Sequence, residues 1–414
     1  MAELMKEIKD RYLNSGDFNG LYLDRESAHL IPAATELVRG GKVQVVSEQD
    51  YPNPHIRPWP SRRTEDDQIE SLQRLAEEPY GVCLYPTPAA MTSGDVNTVP
   101  GNEPYRRLLA AGRGTLELAF FEFDVLESYR NDPRFNFEFR DFGADTIVSD
   151  KVYSDEAASE KDKIIMGHIG YAYDLSRYDP EDAATPIIRR VCAFLGDLAK
   201  LHPAHQLRWN TFQVEESSTL KPHPMWWAQQ MGHWADGLGP FERFFFELEA
   251  WNELHVNIYE KPLLRSVERP REFGWMIRPS GKEFDAFILQ LDHLLSDNLL
   301  HKALDDLGAR KVDEDGKTVG TLGRLHHSLA IRHVSEDGIE EVLKPLRLVR
   351  KLRQKPAHRP EPNRIDGSLL HQQVGLLKQV TESLCMLRGF WQTHKKNQAW
   401  QEPDFVSNGN NYIL

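Results

Sequence analysis

Near the C-terminus, two runs of helical periodicity stand on either side of one proline-rich break. No other feature constrains the fold as much. Ile339, Val342, Leu343, Leu346 and Val349 recur at the spacing that places them on one helical face. Ile365, Leu369, Leu370, Val374, Leu377, Leu384, Leu387 and Trp391 form a second stripe. Between the runs, Pro356, Pro360 and Pro362 each lack an N–H and push the preceding residue out of helical geometry. The local architecture expected is helix, bent basic turn, helix. Pro345 falls inside the first run, so that helix either kinks there or begins there.

The rest of the chain predicts an α+β fold. Its 414 residues suffice for two or three domains. Residues 1–175 read as a mixed α/β region. Apolar runs at Lys42–Val46, Gly81–Tyr85, Thr115–Phe123, Phe135–Phe139 and Ile164–Tyr173 suggest strands, with helices near Glu26–Arg39 and Asp66–Leu75. Residues 176–279 read as a helical connecting region, starting with a helix from Pro186 through Ile187, Val191, Phe194, Leu195 and Leu198. Residues 280–414 read as a helical domain. Ser280 and Glu283 have capping-box spacing, and Asp315-Gly316 marks an inserted hairpin near 311–319. The tail from Gln401 is polar and expected to be loosely attached.

Composition narrows the function. A net charge of −13 argues against a general nucleic-acid coat protein. Cys83, Cys192 and Cys385 are too few and too scattered for a disulfide framework or a zinc site. With no apolar span of bilayer length and no signal-peptide pattern, a cytoplasmic location without membrane contact is expected. No Walker A loop, dinucleotide fingerprint, nucleophile elbow or kinase signature occurs. His202/His205 and His326-His327 match no metal-ligand spacing, and no metal or cofactor is expected. Asp132-Pro133-Arg134 reads as a structural turn. The aromatic run Trp226, Trp227, Trp234, Phe241, Phe244, Phe245 and Trp251 reads as core rather than a base-stacking platform.

One stretch carries chemistry. From Lys344 to Arg359 there is no acidic residue, while Lys344, Arg347, Arg350, Lys351, Arg353, Lys355 and Arg359 are basic. Arg353 lies seven residues after Leu346, so it continues the apolar stripe. It either makes a salt bridge inside the fold or points into a cleft or dimer seam. His358 follows Pro356, close to the start of a new turn. A guanidinium grips phosphate oxygens, and an imidazole moves protons near neutral pH.

The sequence Arg353-Gln354-Lys355-Pro356-Ala357-His358 fits an R-x4-6-H pattern and resembles the HEPN superfamily over about residues 280–396. The chain is also similar to bacterial proteins that share this C-terminal end. Gln354 stands where the family usually has Asn, Asp or His, and Pro356 inside the motif is a further departure. The resemblance implies a metal-independent endoribonuclease with Arg353 and His358 catalytic. It further implies a homodimer through the C-terminal helices and a toxin or antiviral-defence role with a possible antitoxin partner; Phe390 and Trp391, apolar residues beyond one helix stripe, are the candidates to line the dimer seam. Arg350, Lys351, Gln354, Lys355 and Arg359 would then hold RNA. Two alternatives stand beside it. One is a non-catalytic dimerising assembly protein, and the other is an N-terminal ligand sensor with a helical output domain.

Overall fold

The computed structural model describes the chain except residues 52, 58–62, 78–79, 149–158, 178–187, 234–236, 355–361 and 408–414. The fold is α+β. The chain divides into two compact units. The first comprises Met1–Asn136 with Asp145–His223, and the second Phe137–Ala144 with Pro224–Leu414. The first unit thus runs past residue 175.

In the first unit, helix α1 (Ala2–Asn14) buries Leu4, Ile8 and Tyr12, spaced four apart so that they share a face. A three-stranded antiparallel sheet follows in the order β1 (Leu21–Leu23), β3 (Val82–Pro86), β2 (Val43–Ser47). Every residue of central β3 is buried. Helices α2 (Ile31–Arg39) and α3 (Glu65–Arg74) join α1 in covering this sheet around Leu37, Leu72 and Leu84. At the start of α3, Thr64 and Asp67 cap each other reciprocally.

After helix α4 (Pro104–Ala110) comes a second sheet. Its strands are β4 (Leu118–Glu122), β5 (Phe135–Phe139), β6 (Gly143–Val148), β7 (Ile165–Asp174), β8 (Ile188–Phe194) and β9 (Leu220–Pro222). Their order is β4-β8-β7-β6-β5, with β9 on β7. Strand β8 corrects the helix expected from Pro186. Val191 pairs with Phe121 on one side and Tyr171 on the other, so the segment is hydrogen-bonded along both edges. Only Leu195–Lys200 is helical (α5). A short apolar run buried on both sides has the same composition in either state, and here the sheet partners decide. Helix α6 (Pro203–Thr211) supplies buried His205 and Trp209, both hydrogen-bonded to the Tyr129 hydroxyl at 3.0 Å.

The second unit is a helical bundle plus the tip of the β5–β6 hairpin. Helix α7 (Pro240–Tyr259) packs on the long α11 (Ser368–Gln392), and α10 (Glu336–Gln354) packs on α8 (Gly281–Asp292), α9 (Thr321–Ala330) and α11. Helix α10 runs through Pro345. Ser280 caps α8 by accepting from the Glu283 N–H. Phe241, Phe244, Phe245 and Trp251 lie in the core; Trp234 lies outside the described residues. The hairpin near 311–319 is a single bridge, Val312 with Thr318. The tail is anchored as far as Val406, whose carbonyl accepts from Arg243. Trp391, expected at a dimer seam, is 3 % exposed and donates to His255 Nδ1 within this unit. The second apolar stripe needs a similar correction, because Ile365 is exposed and precedes α11.

Asp141, at the hairpin tip, is the N-terminal anchor of α7. Its Oδ2 accepts from the Phe241 N–H at 2.8 Å and the Glu242 N–H at 3.1 Å, and its Oδ1 from Arg269 at 2.6 Å. Gly239 permits the approach, since a Cβ there would lie 2.2 Å from Asp141 Oδ2.

Asp141→Ala should lower stability by about 3 kcal/mol, because it leaves two helix-end N–H groups without an acceptor and takes the carboxylate from Arg269, which keeps only its Nε hydrogen bond to the Phe273 carbonyl. Equilibrium denaturation reads this directly, and Gly239→Ala should also destabilise. Acid should weaken both units. Burial pushes the imidazoles of His205 and His255 down to about 4 from 6.5, so the folded chain resists protons that the unfolded chain accepts. Their contribution is complete above the unfolded value and is lost as pH falls toward about 4, at up to about 1.4 kcal/mol per pH unit for each histidine. Stability curves over that window, flattened in a His255→Asn variant, check it.

Candidate anion site at the end of the basic helix

Arg350 and Arg353 lie three apart near the C-terminal end of α10, so they share a face. They continue the stripe made by Leu346 and Val349, and what they meet there is acidic. Asp292, the last residue of α8, is wholly buried. Its Oδ2 accepts from Arg350 Nη1 at 2.6 Å and from Arg353 Nη1. Asp297 adds a second carboxylate, 3.1 Å from Arg353 and 3.6 Å from Arg350. Between the two acids the chain forms a π-turn, His293–Asp297. Its wider winding brings residues five apart onto one face, which a regular α-helix would not do. His293 Nε2 lies 3.6 Å from Asp297.

The electrostatic result is a pair of carboxylates holding a pair of guanidiniums. The hydrogen bond that Arg353 donates to Asp292 raises its pKa above the ordinary value. Both arginines remain about one-third exposed, at 35 % and 32 % of the side chain. Among the described residues, each uses Nη1 alone. Arg388 in the same bundle differs. It is 4 % exposed, and its Nε, Nη1 and Nη2 are all taken up by Glu247, Gln392, Glu402 and Cys385.

Of the other residues expected at the site, Lys351 and Gln354 are exposed on the same helix end. Lys355, His358 and Arg359 lie outside the described residues. Asp292 and Asp297 were not singled out from the sequence, although a signal existed. Asp292 stands four residues after Ile288 on the apolar face of α8, where an acid requires a cationic partner.

The remaining candidates resolve as follows. Arg134 pairs with Asp132 at 2.6 Å and with Asp162 at 2.5 Å, a structural turn. His202 caps its own helix, and His205 is in the core. Among the described residues, one group of three metal-ligating side chains converges. His326 Nε2 lies 2.9 Å from Glu336 and 3.9 Å from Glu340, and Glu340 also pairs with Arg347. Both glutamates are exposed, so this group is also what a surface ion-pair network looks like. Among the described residues, no helix is long and apolar enough to cross a membrane.

No family model, curated protein or solved structure matches the chain.

Because Arg350 and Arg353 share Asp292, their removal should be strongly non-additive. Either single alanine variant leaves the buried carboxylate one partner and should cost about 1 kcal/mol. The double variant strands a buried charge and should cost about 3–5 kcal/mol. A double-mutant cycle by chemical denaturation measures the difference, and strict additivity would show that Asp292 does not depend on the pair.

Proposed function

We propose that the C-terminal helical unit is a metal-independent endoribonuclease of HEPN type, with Arg353 and His358 as its reacting pair. The observation that carries this reading is the contrast between Arg353 and Arg388. Arg353 is held by one nitrogen and stays partly exposed at the end of a basic helix, whereas Arg388 is used up by the fold. An arginine fixed at one corner keeps Nε and Nη2 for a phosphate and loses little freedom on binding it. In the proposed reaction the ribose 2′-hydroxyl attacks the adjacent phosphate. His358 moves the proton of the attacking or leaving oxygen, and Arg353 stabilises the charge building on the phosphorane. Lys351, Gln354, Lys355 and Arg359, with Arg350, would hold the backbone. A second copy would supply a second histidine and arginine. The toxin or defence role comes from the resemblance alone.

A second reading has a specific observation in its favour. A fully buried Asp292 taking both guanidiniums is what a non-catalytic assembly protein with a structural Arg353 would also show. The two readings share the ion pair and part on the use made of the remaining donors.

RNA should be cut in the presence of EDTA and leave 2′,3′-cyclic phosphate ends, while DNA survives. His358→Ala should lower turnover about 10²–10⁴-fold with RNA still bound, and Arg353→Ala should lose both binding and turnover. A Mg²⁺ requirement, or equal cutting of DNA, rules the mechanism out. Loss of folding rather than of RNA binding in Arg353→Ala favours the assembly reading. Sedimentation over rising concentration tests the dimer.

A further inference from the structure

The first unit contains a cavity of about 630 Å³, within the range of small-molecule sites. The C-terminal turn of α1, the Gly16–Asn19 turn, the 53–56 loop, α4 and the β8–α5 junction all contribute to its walls. Its charged groups are of both signs. Arg11 and Lys200 line it and are exposed, with no hydrogen bond or ion pair from either side chain among the described residues. Asp197, one turn before Lys200 on α5, also lines it. Its carboxylate has no hydrogen-bond donor among the described residues, and burial pushes its pKa up, with Lys200 partly offsetting this. A desolvated acid without a donor is costly, and a ligand N–H relieves it.

The apolar wall is held under strain. Phe18 adopts φ 58°, a left-handed conformation unusual for a bulky residue, and is 3 % exposed. Its ring packs edge-on to Tyr12 at 5.4 Å and lies 5.4 Å from the Arg106 guanidinium. Arg106 in turn is tied to Glu103 at 3.0 Å, so it serves as wall rather than as a free cation.

We propose that this cavity binds a ligand of the nucleoside monophosphate class, with its phosphate on Arg11 and Lys200 and the N–H edge of its base on Asp197. A bare anion would leave Asp197 and Phe18 unmet and would be repelled by the carboxylates of Asp197 and of Asp17, the exposed acid in the lining. An apolar ligand would leave Arg11 and Lys200 unused. An anion, an N–H donor and a ring in one small molecule answer all three walls. This site is independent of the nuclease reading, since every group that forms it belongs to the first unit.

Calorimetric titration of the full chain with AMP, GMP, CMP, UMP and inorganic phosphate tests the proposal. At least one nucleotide should bind about tenfold or more tightly than phosphate, and Lys200→Ala and Asp197→Asn should each weaken it about tenfold, the loss of one good polar contact. Both side chains reach solvent or the cavity, and unliganded melting curves of the variants confirm that they fold. Arg353→Ala should leave the affinity unchanged. The proposal is overturned if no nucleotide binds better than phosphate, or if binding survives both substitutions. It is equally overturned if binding disappears in an Arg353→Ala variant whose melting curve shows it folded, which would place the nucleotide at the C-terminal arginines.

Discussion

The carboxylate of Asp292 is the interaction on which the candidate site depends. It has no exposure, and its Oδ1 has no partner among the described residues. A charge at that depth is tolerated only while Arg350 and Arg353 stay against Oδ2. The C-terminal end of α10 is therefore not free to choose its position. Its apolar stripe sets the rotation of the helix, and Asp292 sets where that rotation points the two guanidiniums. Whatever the basic turn does begins from that fixed point.

The bundle contains a second buried ionic group, and the comparison separates two uses of arginine. Arg243 and Arg388 enclose Glu247, which has no exposure, and both reach Glu402. Such a network adds little net stability over an apolar core, but it ties α7 to α11 through the Glu247–Arg388 pair. Gln373 acts in the same way, accepting from the Met276 N–H and donating to the Gly274 carbonyl. These groups specify the fold and are fully occupied by it. The arginines at the end of α10 are anchored but not occupied, and the proposed chemistry rests on that distinction.

Local signals carried much of this structure into the sequence. The stripe from Ile339 to Val349 became α10, Ser280 caps α8, and Phe241, Phe244, Phe245 and Trp251 of the aromatic run became the buried face of α7, because periodicity and capping depend on neighbours a few positions away. What was missed depends on distant partners. Strand β8 looks helical until β4 and β7 flank it. Trp391 looks available for a seam until Trp251 and His255 are placed against it. The cavity at Phe18 gathers residues from across the first unit, and no single window contains more than a fragment of it. Asp292 is the intermediate case: an acid on an apolar face signals a partner but does not name one.

The hairpin tip gives the chain an order of assembly. Residues 137–144 belong to the second unit, while the residues on either side of them belong to the first. During synthesis from the N-terminus, Asp141 leaves the ribosome well before the amides of Phe241 and Glu242 that it caps. The second unit therefore completes itself on a piece of chain made long before the rest of it.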